Sequence, residues 1–236
     1  YNRKICDNVN INVRRGEVVG ISGLMGAGRS ELAMSVFGRI YGRDISGAVF
    51  LNGKEVKLTK VRDAIDHKLA YVTEDRKSSG LVLSNPVRVN VTLANLNKVS
   101  RMGTIDKDLE IRMAGQYKDM LKVKCSSIEQ LVGSLSGGNQ QKVLLSKWMF
   151  AEPDILILDE PTRGIDVGAK YEIYTFINEL AAQNKSVLMI SSEMPEILGM
   201  CDRIYVMNEG RIVAELNRGE ASQEKIMSSI LNSSAS

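Results

Sequence analysis

Cysteine, histidine and long apolar runs are all scarce in this 236-residue sequence. Cys6, Cys125 and Cys201 stand far apart with no CxxC spacing, which excludes a zinc knuckle or a disulfide framework. The one histidine, His67, lies in a polar stretch of helical character, Val61 to Leu69, and reads as a solvated residue rather than a catalyst. No apolar run is long enough to cross a bilayer and no signal peptide is evident, so membrane association is expected to come through a partner. A net charge of +3 without a Lys/Arg block argues against nucleic acid as a ligand. What remains, 44% apolar and 25% charged residues, is ordinary for a globular chain able to bury one core with a small subdomain. The start at Tyr1, without Met, suits a fragment of something longer.

Small residues gather where helices are expected to begin. Leu135-Ser136-Gly137-Gly138-Asn139-Gln140-Gln141-Lys142 leads into a segment whose apolar positions Val143, Leu144, Leu145 and Trp148 recur at helical spacing. Ser136 is a good N-cap, and the glycines leave amide groups uncovered where the helix dipole is positive; that is how an anion site is built. A second such place follows the apolar strand Glu17 to Ser22, where Gly23-Leu24-Met25-Gly26-Ala27-Gly28-Arg29-Ser30 runs into the helical stretch Glu31 to Phe37. Strand, glycine-rich loop and helix start together make a phosphate cradle. Ile155 to Leu158 contains only Ile and Leu, as in a parallel strand buried on both faces. Asp159 and Glu160 end it, where ligands bind in open α/β sheets; an acidic helix cap before Pro161 is the plainer alternative.

The octet at 135–142 resembles the signature motif of ABC-type ATPases, and its Asn-Gln-Gln ending is similar to the ATPase subunits of bacterial sugar importers. The loop at 23–30 matches Walker A spacing at Gly23, Gly28 and Ser30, with Arg29 where the family has Lys. The resemblance runs from Asn8 to Leu231 and implies an α/β P-loop NTPase of ABC type with a mainly parallel sheet, an antiparallel β subdomain and a helical subdomain. It implies one domain over 1–236, the core at about 1–84 and 148–236 and the helical subdomain at about 85–147. ATP and Mg²⁺ are the implied cofactors. Gly23, Leu24, Met25, Gly26, Ala27, Gly28, Arg29, Ser30 and Glu31 would surround the phosphates, and Ser30 and Asp159 would serve the metal. Glu160 would orient the attacking water, and Ser136, Gly137 and Gly138 would hold the γ-phosphate of ATP bound to a partner domain. Asp166, in Arg163-Gly164-Ile165-Asp166, takes the D-loop position that communicates between two ATP sites. Tyr1 is the candidate for stacking on adenine, with a frayed terminal residue as the equal alternative.

Arg163-Gly164-Ile165 departs from the family's usual small-residue D-loop, and three further positions depart at the ATP site. Arg29 replaces Lys, Glu74 replaces the Gln that reaches Mg²⁺, and Ser192, after the strand Val187 to Ile190, replaces a His that contacts the γ-phosphate. Phosphoryl transfer depends on positioning and electrostatics, so these changes imply nucleotide binding with slow turnover. The pattern, with Glu74-Asp75-Arg76-Lys77 before Gly80, is similar to the C-terminal half of the fused two-domain ATPases of ribose- and galactose-class importers. The implied partners are a second ATPase domain on the same polypeptide, transmembrane permease subunits and, indirectly, a periplasmic or extracellular sugar-binding protein, without nucleic acid. The implied place is peripheral, on the cytoplasmic side of the cell membrane. The segment Glu74 to Leu83 is expected to face the permease. Two other readings remain open: a fully active domain that tolerates Arg29 and Ser192, and a non-transport ABC protein acting on nucleic acid or ribosomes.

For the framework, Ile5 to Val13 alternates as an antiparallel strand would, and Ala48 to Leu51 meets a hairpin turn at Asn52-Gly53. Asn90 to Leu96 and Asp108 to Lys122 are expected helices, Arg203 to Met207 and Gly210 to Glu215 a hairpin, Ala221 to Leu231 a last helix, and Asn232 to Ser236 a frayed tail.

Overall fold

A computed structural model describes residues 4–234 of the chain; Tyr1, the expected adenine partner, lies outside them. In chain order the elements begin with β1 (Val18–Gly23), α1 (Arg29–Val36), β2 (Val49–Leu51), β3 (Lys54–Val56), α2 (Val61–Asp66) and β4 (Leu69–Val72). A π-helical turn (Arg76–Gly80), α3 (Val87–Thr92), a 3₁₀ stretch (Leu93–Val99), β5 (Ser100–Arg101), β6 (Thr104–Ile105), α4 (Lys107–Met120) and α5 (Gly137–Phe150) follow. The chain continues through β7 (Ile155–Asp159), α6 (Val167–Ala182), β8 (Ser186–Ile190), α7 (Met194–Met200), β9 (Arg203–Asn208), β10 (Arg211–Asn217) and α8 (Gln223–Ser234). Two compact units result. One holds residues up to Tyr71, Asp154–Glu160 and everything from Asn178; the other holds Val72–Pro153 and Pro161–Ile177.

The first unit is organised by a six-stranded sheet of order β10-β9-β1-β8-β7-β4. The pairs β9–β1, β1–β8 and β8–β7 are parallel, and the edge strand β10 runs antiparallel to β9. Burial follows the composition: β8 and β9 are buried throughout, while β10 carries the exposed positions expected of an edge. Gly20 has no side chain because a Cβ there would stand 2.8 Å from Cys201 Sγ on the neighbouring helix end. Burial pushes the Cys201 thiol up to about 12, so it acts as a small apolar group. The hairpin β2–β3 turns at Asn52-Gly53 as the sequence indicates.

Ile5 to Val13 is not a strand, contrary to its alternating pattern. Asn8 takes a positive φ of 51°, which breaks a ladder, and the segment is tied down by polar contacts instead. Asp7 donates its amide to Gly210 O at 2.8 Å, and Arg203 Nη2 donates to both Asn12 O and Asn12 Oδ1 at 2.8 Å. Arg203 also pairs with Glu17 and Glu215, so a buried guanidinium organises this corner. At the other terminus α8 continues to Ser234 instead of fraying from Asn232, helped by Asn208 Nδ2 donating to Ser233 Oγ at 3.0 Å.

The second unit is mainly helical. Nearly all of α5 from Gly138 onward is buried, and α3 and α4 bring Val87, Val91 and Ala114 to the same core, where Tyr117 meets Phe150 edge-on at 5.5 Å. Buried Asn90 fastens the preceding loop: its Oδ1 accepts from Val82 N and its Nδ2 donates to Val82 O. The expected helix at Asn90 to Leu96 tightens to 3₁₀ at Leu93, where the backbone breaks at Asn95. His67 is exposed, in the turn after α2, as expected of a solvated residue.

Candidate functional site

The glycine-rich loop leaves β1 at Gly23, where a Cβ would collide with the Met207 carbonyl. Met25 at its tip is fully exposed, and Ala27 ties the loop to the sheet by accepting from Gly210 N at 2.9 Å. Gly28, at φ 98°, is the N-cap of α1 and provides no side-chain cap. The first amides of α1 have no intrahelical acceptor, and at Gly26 a Cβ would meet nothing within 4 Å. An open, uncapped helix start of this kind suits phosphate oxygens.

Beside it, at the end of β7, Asp159 is fully buried. Its Oδ1 accepts from Ser30 Oγ at 3.1 Å and its Oδ2 from Tyr71 OH at 2.8 Å. Burial nonetheless raises its pKa, with the neighbouring Glu160 adding to the rise; the two hydrogen bonds and Arg29 only moderate it. Ser30 and Asp159 thus present two hard oxygens that fit Mg²⁺, which takes few protein ligands and completes its shell with water and phosphate. Among the described residues no cluster of three or more His, Cys, Asp or Glu could hold a metal by itself.

Arg29 does not extend toward the open loop. Nη1 donates to Ser191 O at 2.8 Å, and Nη2 stands 3.9 Å from Glu160 Oε1, both side chains being about nine-tenths buried. Glu160 Oε2 in turn accepts from Ser192 Oγ at 3.0 Å. The two unusual residues of this site are therefore bound to the carboxylate expected to act on water. Five sequence-derived candidates, Arg29, Ser30, Asp159, Glu160 and Ser192, come together here, joined by Tyr71, which sequence reasoning missed. A tyrosine inside a strand gives no signal for that role.

In the second unit Ser136 caps α5, accepting from Asn139 N and, at 2.9 Å, from Asn139 Nδ2. Asp166 Oδ1 accepts from Ala169 N at 2.9 Å near the start of α6, and its other oxygen lies 3.5 Å from the point a Gly138 Cβ would occupy. Ser136, Gly138 and Asp166 line one cavity of about 180 Å³ with Lys124, Lys142 and Glu172. Glu74, expected at Mg²⁺, forms an ion pair with Arg163 of the same unit.

The model of the ABC transporter family matches residues 6–163. The chain is 61% identical over 225 residues to the L-arabinose transport ATP-binding protein AraG of Geobacillus stearothermophilus, an alignment covering 95% of this chain and 44% of that protein. It is 50% identical over 221 residues to the ribose import ATP-binding protein RbsA of Bacillus cereus, covering 94% of this chain and 44% of that one. The chain thus spans less than half the length of these relatives. In fold it is similar to a nucleotide-free ATP-binding cassette from an ABC transporter, with a TM-score of 0.77 at 22% identity over 98% of this chain and 90% of that one. A structure of MJ1267, an ATP-binding cassette of an ABC transporter, gives 0.81 at 23% identity over 97% of this chain and 93% of that one. These likenesses establish the α/β P-loop fold, a mostly parallel sheet with separate antiparallel strands and helices. With more than half of its length matched by the family, the chain belongs to the ABC transporter family.

Proposed function

We propose that this chain is an ATP-binding domain of a bacterial ABC sugar importer, the second of two on one polypeptide, whose own site binds nucleotide weakly while its Ser136-Gly137-Gly138 turn completes the ATP site of the first. The relatives named for arabinose and ribose import support the transport role, and their length, more than twice the matched span, leaves room for another domain. The observation that carries the degenerate-site reading is the inward fold of Arg29 onto Glu160 and Ser191 O. A Lys in this position is a point charge for the β- and γ-phosphates; the Arg here is committed to the chain's own oxygens. In this reading Gly23–Ser30 and Glu31 surround the phosphates, Ser30 and Asp159 hold Mg²⁺, with Glu74 a further candidate, and Glu160 and Ser192 face the position of the attacking water. Mg²⁺ held by Ser30 and Asp159 would supply charge neutralisation to the phosphates. The permease, and through it a sugar-binding protein, are the partners, and the domain sits peripherally on the cytoplasmic face of the membrane; no helix among the described residues is long and apolar enough to cross it.

The decisive experiment compares two substitutions in the full-length protein, assayed for steady-state ATPase in membranes with permease and sugar-loaded binding protein. Ser136→Arg places bulk and charge at the turn serving the hydrolysing site and should lower the rate by about 100-fold or more. Arg29→Ala touches only this domain's own site and should stay within about threefold of wild type, under 1 kcal/mol. Equal loss in both variants overturns the assignment.

A further inference from the structure

Arg76 lies in the segment Glu74 to Leu83 expected to face the permease, but its side chain has had no role of its own so far. It opens the π-helical turn Arg76–Gly80, whose start is fixed by Asp75 accepting from the amides of Lys77 and Ser78. From there its guanidinium reaches the loop that ends in Asp166. Nη1 donates to Arg163 O at 2.9 Å and Nη2 to Gly164 O at 3.3 Å. The same Nη2 stands 2.9 Å from where a Cβ on Gly137 would lie, and Gly164 O stands 3.1 Å from that point. Gly137 does not take a left-handed φ, so glycine is needed there for space and not for conformation. Three chain segments converge on one planar fork. Arg163 returns the contact by pairing with Glu74, two residues before Arg76. The cost of this arrangement is visible: Arg76 Nε is buried without a hydrogen-bond partner.

We infer that Arg76 is a positioning residue for the Ser136–Gly138 turn, fixing its spacing from the loop that carries Asp166 and tying both to the segment that follows β4. The inference rests on the reading above, in which that turn meets a nucleotide held by another domain. Two successive carbonyls require two divergent N–H groups in one plane. Lys offers a single charged point and Gln a single amide, so neither reproduces the grip.

Two measurements on Arg76→Gln and Arg76→Lys test this. In the isolated chain, hydrogen exchange at the amides of 163–166 and 136–139 should speed up about tenfold in both variants, with α4 and the buried end of α5 unchanged. In the full-length protein with its permease, ATPase kcat should fall about tenfold in both, with Arg76→Lys no better than Arg76→Gln. Recovery by Arg76→Lys would reduce the role to stem packing and charge and overturn the inference, as would wild-type exchange in both variants or a wild-type kcat in both. If Ser136→Arg retains full ATPase, the partner-site reading fails on its own, and the exchange data still decide whether Arg76 holds the two loops.

Discussion

At Gly28–Ser30 and again at Ser136–Gly138 the chain begins a helix after small residues and leaves amides open, yet the surroundings of the two starts differ. The first has no side-chain cap, and the charged groups around it are satisfied by each other: Arg29 by Ser191 O and Glu160, Glu160 by Ser192, Asp159 by Ser30 and Tyr71. The second is capped by Ser136 and has the Arg76 guanidinium and the Gly164 carbonyl packed at Gly137, while Ser136 and Gly138 line a cavity. A site whose cations and anions already pair internally must break those pairs to receive a phosphate. A turn held by contacts of its own, as at Gly137, has no such pairs to break. The substitutions at 29 and 192 are in this sense one change, since both residues contact Glu160.

The largest contrast in stability should come from adding a methyl at Gly23, where the loop to the first start leaves β1, and at Gly137 in the second start. Gly23→Ala drives a Cβ into the Met207 carbonyl, which is sheet backbone and cannot yield. Overpacking of that kind should cost about 3 kcal/mol, lowering Tm by about 6–12 °C for a chain of this size. Gly137→Ala meets the end of the flexible Arg76 side chain at 2.9 Å and the Gly164 carbonyl only at 3.1 Å, a shift of a few tenths of an ångström, so the melt should move less while the grip on Gly164 is lost. Thermal denaturation of both variants checks this, and an equal drop would erase the distinction between a rigid and a yielding neighbour.

Next in size is the release of Arg29. Glu160→Gln removes the charge that draws the guanidinium away from the loop. Mg-nucleotide binding by the chain should then tighten about fivefold, roughly 1 kcal/mol, and in an Arg29→Met background the gain should vanish. The same gain in both backgrounds would mean that the carboxylate merely repels phosphate and that the pair does not close the site.

The two helix starts with open amides were legible in the sequence because each rests on local chemistry, glycines beside a strand end at the first and glycines beside an N-cap at the second. The strand at 155–159 was equally plain from its unbroken run of Ile and Leu, and those at 186–190 and 203–208 were expected at Val187 to Ile190 and, as one arm of a hairpin, at Arg203 to Met207. What escaped depends on residues far apart in the chain. Ile5 to Val13 alternates correctly, but its partners are Gly210 and the Arg203 side chain, and those contacts override the period. Tyr71 reaches Asp159 across 88 positions and Arg76 reaches Gly164 across another 88; neither residue type in its own segment announces the contact. The direction of Arg29 was also invisible, since a substitution at a motif position reveals a lost function but not the new partner.

A smaller effect follows from Asp159. Its pKa is raised by burial, so the favourable contribution of the protonated form is present below the ordinary carboxylate pKa of about 4 and is lost as pH rises through the shifted value. At neutral pH the charged form therefore costs stability. Asp159→Asn keeps the oxygen that accepts from Ser30 or Tyr71 and removes the charge, so it should raise Tm by about 2–4 °C near neutrality, the gain shrinking as pH approaches about 4. A Tm of the variant below that of wild type at pH 7 would show that the hydrogen bonds outweigh the burial.

The smallest change expected is at Glu74, and it separates the two mechanisms that hold the second start. The Glu74 and Arg163 side chains are 40% and 62% exposed, so their pair is solvated and screened. Breaking it with Glu74→Gln should cost about 0.5 kcal/mol at most, and less in high salt, where such charges are screened within a few ångströms. Hydrogen exchange at 163–166 should change less than about twofold, against about tenfold for Arg76→Gln. An equal response from both would mean that charge steering by Glu74, and not the Arg76 fork, sets the loop. Glu74→Gln also restores the residue expected at Mg²⁺ from the family resemblance, which gives a second reading from the same protein. If the Mg²⁺ dependence of nucleotide binding by the chain stays as in wild type, Glu74 acts on Arg163. If it strengthens clearly while loop exchange is unmoved, Glu74 acts at the metal, and the second start is braced by Arg76 alone.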